Sequence, residues 1–204
     1  MSLPNSVQQV VTDALLAMEH HPQHVLRPIH RQQIYDALTV ATDFRSDHIY
    51  PRLALLSAHH VLPLWQQHRT GEVLPARLLT VAEAVLIGTL PIPTARHEAE
   101  NAWSYFEHLY EQIPEDITIS SYDAGFAAVI ALFEVLGQTP FRSGVDVSEA
   151  VDDYLDLWHS DTAQWAAEAY AGAGSDNVPD PDRRRAFWTW WCNEALPMAW
   201  EAGK

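Results

Sequence analysis

Apolar residues recur three and four positions apart along almost the whole chain, and this spacing constrains the fold more than any other feature. It fits α-helices and leaves little room for a sheet. Val7, Val10, Val11, Ala14, Leu15 and Met18 mark a first helix, with Asn5 and Ser6 as expected caps and Pro22 beyond its end. Ile34, Ala37, Leu38 and Ala41 mark a second. Residues 51–68 mark a third, apolar on most sides through Leu53, Leu55, Leu56, Val61, Leu62, Leu64 and Trp65. That pattern predicts a buried helix, kinked at Pro63. Pro75 suits the first turn of a fourth helix carrying Leu78, Leu79, Ala82, Val85 and Leu86, which Gly88, Pro91 and Pro93 stop. Thr94 is the expected cap of a fifth, with Ala99, Ala102, Trp103, Phe106, Tyr110 and Ile113 on its apolar side.

Ser120-x-x-Asp123 has the form of a capping box for a sixth helix, with Asp in place of the usual Glu. That helix is apolar on most sides from Ala124 to Leu136 and ends at Gly137. A seventh is expected from Val147 to Tyr170, with Val151, Tyr154, Leu155, Trp158 and Trp165 on one face. Residues 172–180 read as a loop, and Pro181 opens a last helix bearing Phe187, Trp188, Trp190, Trp191 and Leu196. The one strand candidate is short, Asp116 to Ser120. The expectation is an all-α fold: one domain over residues 1–204, an irregular bundle of about seven to eight helices, the third and sixth central and buried.

Charge is uneven along this bundle. Residues 1–96 are neutral overall, residues 97–182 carry 18 acids against the single base Arg142, and residues 183–204 are slightly basic, giving a net charge of −15. A surface this acidic repels nucleic acid and anionic lipid and attracts a basic partner. Glu149, Asp152, Asp153, Asp156 and Asp161 fall mostly on the polar side of the seventh helix and are the expected partner-binding residues. Asp152 and Asp156 stand four apart with no base to offset them, an arrangement unfavourable to an isolated helix. With one cysteine, Cys192, no internal disulfide can form. No basic, then apolar, leader opens the chain, and the longest apolar stretch, Ala124 to Phe133, is about half a membrane span. A cytoplasmic protein is expected.

Reactive constellations are weakly represented. The chain has no H-E-x-x-H, C-x-x-C, phosphate-cradling glycine loop or G-x-S-x-G elbow. His20 and His24 stand four apart, but Pro22 between them breaks the helix that would align them on one ion. His59 and His60 are adjacent and point about 100° apart. His59 could form an acid–base pair with Glu83 or Asp123; a buried histidine bonded to a neighbouring helix is the expected outcome. His97 and Glu100 read as surface charge. No catalytic residue, metal site or cofactor is expected. The Trp188-Thr-Trp-Trp191 run cannot face one core, so it points to a helix sandwiched between two layers or to an interface.

The run Arg52-Leu-Ala-Leu-Leu-Ser-Ala-His-His-Val-Leu-Pro-Leu-Trp65 resembles the signature helix of the immunity protein 5 family of bacterial polymorphic toxin systems. Ala82-Glu-Ala-Val-Leu86 with Gly88-Thr89 resembles that family's next helix and its end. Ala124 to Leu132 resembles its later alanine-rich segment, and Arg31-Gln-Gln-Ile-Tyr35 the helix upstream of the signature. His59-His60 stands where a basic residue is expected, and Gln66 where Glu is. The resemblance covers about residues 30–135 and leaves the acidic helices of 145–200 without a counterpart. It implies a cytoplasmic protein, monomer or homodimer, that binds and blocks a cognate toxin protein and catalyses nothing. Toxin domains that attack nucleic acid are commonly basic, which suits an acidic inhibitor. The alternatives are a helical enzyme with a His/Glu-lined apolar pocket, or a self-associating adaptor.

Overall fold

Helix α1 (Asn5–Glu19) buries Val7, Val11, Ala14 and Met18, one stripe of the expected spacing. The same logic gives α2 (Pro28–Ala41), α3 (Ile49–His68), α4 (Leu74–Leu86), α5 (Ile92–Glu111), α6 (Ile119–Val135) and α7 (Thr162–Gly172). Helix α8 (Pro181–Trp190) passes through a π-helical turn, Trp191–Ala195, into α9 (Leu196–Gly203). This computed structural model describes residues 2–42, 48–111, 118–137, 161–172 and 179–203, and every regular element among them is helical. The fold is all-α, as the spacing predicts. No described helix is long and apolar enough to cross a membrane.

Helix α6 is the axis of the bundle. Every residue from Ser120 to Leu132 is buried, and α3, α4, α5 and α7 all pack on it. Gly125 lets α3 and α5 approach: a Cβ there would lie 2.6 Å from Trp65 Cε3 and 2.8 Å from Phe106 Cε1. Helix α3 is less enclosed than its composition suggests. It buries Leu53, Ala54, Ala58, Val61 and Trp65 but turns His59, Pro63, Gln66 and Gln67 to solvent. The helix runs on through Pro63, because the His59 carbonyl left without its usual donor lies on the wet side.

Several ends differ from the sequence expectation. Asn5 and Ser6 lie inside α1. Pro4 takes the cap position, and the Gln8 side chain reaches back to donate to the Leu3 carbonyl at 2.7 Å. Helix α5 starts at Ile92, ahead of Thr94, since Pro93 is tolerated in a first turn. Thr118, not Ser120, caps α6, its Oγ1 accepting from the Ser121 amide. The strand candidate therefore contributes a helix start in its described part. Ser120 is freed to donate to the Ala169 carbonyl of α7 at 2.5 Å. Helix α7 begins at Thr162 with Asp161 outside it, so the expected helix is not continuous through 161; its portion 147–160 lies outside the described residues. Gly88 (φ 75°) and Gly137 (φ 76°) end α4 and α6 in the left-handed conformation glycine favours.

The tryptophan run is not sandwiched between two layers: Trp188 and Trp191 are buried, Trp190 is half-buried, and Thr189, Asn193 and Glu194 are exposed on the outer side. Buried pairs recur every four residues: Phe187/Trp188, Trp191/Cys192, Ala195/Leu196, Ala199/Trp200. At about 100° per residue, an α-helix overshoots a four-residue repeat by roughly 40° each turn. A wider π turn in the middle takes up that drift and keeps all four pairs on the core. Trp191 Nε1 donates to Ser57 Oγ of α3 at 3.1 Å, while half-buried Trp190 stacks on His60 at 3.7 Å.

Candidate functional site

The carboxylates singled out from the sequence divide into two groups. Glu149, Asp152, Asp153 and Asp156 lie outside the described residues. Asp161 is described, and it is buried at 2% exposure. Its Oδ2 accepts from Arg31 Nε at 2.9 Å and from the Tyr35 hydroxyl at 3.1 Å. Its Oδ1 accepts from the Gln164 amide at 2.9 Å and so caps α7. Placing Asp161 on an outward acidic face assumed an unbroken helix. Because α7 starts one residue later, the side chain turns inward and is not presented to a partner.

Around Asp161 lies a buried polar network that joins four helices. Arg31, fully buried on α2, also donates through Nη1 to the Leu26 carbonyl at 2.5 Å and to Gln164 Oε1 at 2.9 Å. Its guanidinium lies 5.4 Å from the Trp188 ring centroid. Gln164 Nε2 donates to Glu168 Oε1 at 2.8 Å, and Arg184 of α8 donates to Glu168 Oε2 at 2.7 Å and to the Gln23 carbonyl at 3.0 Å. On α6, Glu134 Oε1 accepts from the Thr162 amide at 2.7 Å and its hydroxyl at 2.9 Å. Burial, reinforced by the negative Asp161, pushes the Glu134 carboxyl up to about 8, against the Thr162 bonds and Arg31. Burial, then the charge of Glu168, also holds Asp123 well above the ordinary carboxylate range. Each partner in the network is another part of the bundle, so it fixes helices to each other.

Of the histidines singled out from the sequence, His60 is half-buried against aromatic rings and His59 lies at the surface. His59 Nε2 lies 2.9 Å from Glu83 Oε1 of α4, with side chains 44% and 54% exposed. The structure thus forms the His59–Glu83 pair that is the alternative reading, and the histidine is exposed where a buried one is expected. Replacing His59 by alanine is expected to change stability by no more than about 0.5 kcal/mol, checked by urea unfolding, because an exposed pair of this kind contributes little. His60 packs among Trp190, Phe187 and Tyr170, and burial lowers its affinity for a proton, with Glu194 opposing. His20 and His24 lie beyond the end of α1 and each approaches a backbone carbonyl, of Leu16 and Met18. Among the described residues no three His, Cys, Asp or Glu side chains converge as a metal site would need.

The described part of the acidic stretch contributes an outer face on α5. Ala95, Ala99, Ala102 and Phe106 point inward, which leaves Glu100, Glu107 and Glu111 exposed on the other side beside Tyr110, itself 52% exposed. Glu98 reaches Arg77 of α4 at 2.9 Å. The sequence carries this signal: three acids spaced seven and four apart, with the apolar stripe between them.

Fold and site together define an all-α protein whose buried polar side chains lock helices to one another and whose acidic residues, where described outside that network and apart from buried Asp123, lie at or near the surface. The chain belongs to the family described as immunity protein Imm5, which matches residues 13–198. No curated protein matches the chain. The match extends well past the 30–135 stretch of the sequence resemblance. The region after 136, without a counterpart in that reading, is therefore part of the family's extent.

Proposed function

We propose that this immunity protein neutralises a cognate bacterial toxin by binding it through an acidic surface and covering its working site, without a reaction of its own. The observation that carries the reading is the family match over residues 13–198. The charge supports the acidic mode of contact: residues 97–182 carry 18 acids against one base, and with buried Asp123, Glu134 and Asp161 set aside the surplus still makes a field that speeds encounter with a basic protein. Glu149, Asp152, Asp153 and Asp156 of the sequence, together with the outward Glu100, Glu107 and Glu111 of α5, are the proposed contact residues. The partner is a basic toxin domain, met in the cytoplasm of the cell that makes both proteins.

The test uses the toxin domain encoded beside this chain. A variant with Asp152, Asp153 and Asp156 changed to Asn is expected to associate about tenfold more slowly at low salt, with a flatter salt dependence and little change in dissociation. Stopped-flow association across a salt series measures this. Unchanged association would remove these residues from the contact. Failure of the wild-type chain to bind or protect against that toxin would overturn the function itself.

A further inference from the structure

Two carboxylates and one guanidinium meet where α6 ends and α7 begins. Glu134 and Asp161 come from either side of that junction, and Arg31 enters from α2. Arg31 pairs with Asp161, whose oxygens also take bonds from Tyr35 and the Gln164 amide. That set of donors, the guanidinium among them, is spent on Asp161. Among the described residues Glu134 takes its hydrogen bonds from the neutral donors of Thr162, and it is buried beside them. Among the described residues no further base pairs with a second full negative charge there, and buried sites relieve such a charge by taking up a proton.

We propose that this cluster is a proton-loaded clasp: Glu134 carries a proton at neutral pH, and losing it to solvent in mild alkali loosens the grip of α6 on the start of α7. The groups that bear on Glu134 come from each side of the cluster. From α2 come Arg31 and Tyr35, the phenol held well above its ordinary range by burial and by Asp161, so that it stays a donor. From the start of α7 comes Asp161; Glu168 lies further along and is neutralised by Arg184 of α8. Among the described residues Arg31 is the one positive charge that acts on Glu134 directly.

The sign of the effect on folding follows. An acid whose folded value, about 8, lies above its ordinary 4.5 keeps its proton longer in the folded chain. Its contribution to stability is therefore full at low pH, declines as pH rises through that window, and levels off above it. The proposal is independent of toxin binding.

Two measurements on the full chain test it. The first follows the Glu134 side-chain carboxyl carbon by NMR between pH 4 and 10, assigned by its absence in Glu134→Gln. A midpoint near 8 is expected; a midpoint between 4 and 5 would overturn the proposal, and this reading needs only the wild-type protein to fold. The second compares hydrogen exchange at the amides of residues 162–166 in wild type and Glu134→Gln at each pH, which cancels the intrinsic pH dependence of exchange. Wild type is expected to lose at least tenfold protection relative to Glu134→Gln between pH 7 and 9.5. A constant ratio would show that ionisation does not reach the junction and would equally overturn it.

Discussion

Replacing Arg31 by alanine is expected to destabilise the protein by about 3–5 kcal/mol, the range seen when one partner of a buried ion pair is removed. The guanidinium is fully buried, and its removal deletes the Nε bond to Asp161, the Nη1 bonds to Leu26 and Gln164, and the contact with the Trp188 ring. The larger part of the loss comes from what remains. Asp161, at 2% exposure, would be left buried without its guanidinium, with the Tyr35 hydroxyl and the Gln164 amide as its remaining described donors. Against a total stability of about 5–15 kcal/mol, this change alone unfolds an appreciable fraction at physiological temperature. Urea unfolding at pH 7 measures it. Changing Arg31 to Met and Asp161 to Asn together is expected to recover part of the loss, since no uncompensated charge is then buried. A single-variant loss under about 1 kcal/mol would mean that water reaches Asp161 and the network holds the helices only weakly.

That network was partly legible before any coordinates. Arg31, Ile34 and Leu38 follow one another at three- and four-residue spacing, so Arg31 sits on the apolar stripe of α2, where a charge requires a partner. The partner was not legible, because 130 residues separate it from Asp161 and nothing local links them. Asp161 looked like one more acid on a solvent face for the same reason: reading a wheel across 147–170 assumes one axis, and the helix start at Thr162 removes that assumption. Helix existence was legible because burial periodicity is local. Helix starts were less so, since Ser120 has an equally good use for its hydroxyl on the Ala169 carbonyl, and Thr118 then does the capping. The π turn was in the sequence as a four-residue repeat of large and small apolar pairs from Phe187 to Trp200, a period that neither an ideal helix nor a strand would produce. The outward acids of α5 are legible too, since Ala95, Ala99, Ala102 and Phe106 fix the buried side and leave Glu100, Glu107 and Glu111 on the other.

Gly125 supplies the second large effect, and its sign separates two views of a glycine in mid-helix. On an exposed helix, changing glycine to alanine is favourable by about 1 kcal/mol, because alanine has less backbone freedom to lose. At this position the same change is expected to cost about 3 kcal/mol, near the upper end of what inserting one carbon into a packed core brings. The new methyl would stand 2.6 Å from Trp65 Cε3 and 2.8 Å from two carbons of the Phe106 ring. Neither ring is at the surface. Trp65 is tied by its Nε1 to the Glu72 carbonyl at 3.1 Å, and Phe106 is walled by Tyr122 and Phe126 with centroids 5.6 and 5.8 Å away. Relief therefore requires α6 to move off α3 and α5, which disturbs the axis on which four helices pack. Combining Gly125→Ala with Phe106→Leu tests that geometry: if the clash is with the ring, the pair is less destabilised than the sum of the two single changes, a coupling that a loss of helix propensity would not give. Chemical denaturation of the three variants measures it, and a stabilised Gly125→Ala would show that the helices do not approach this closely.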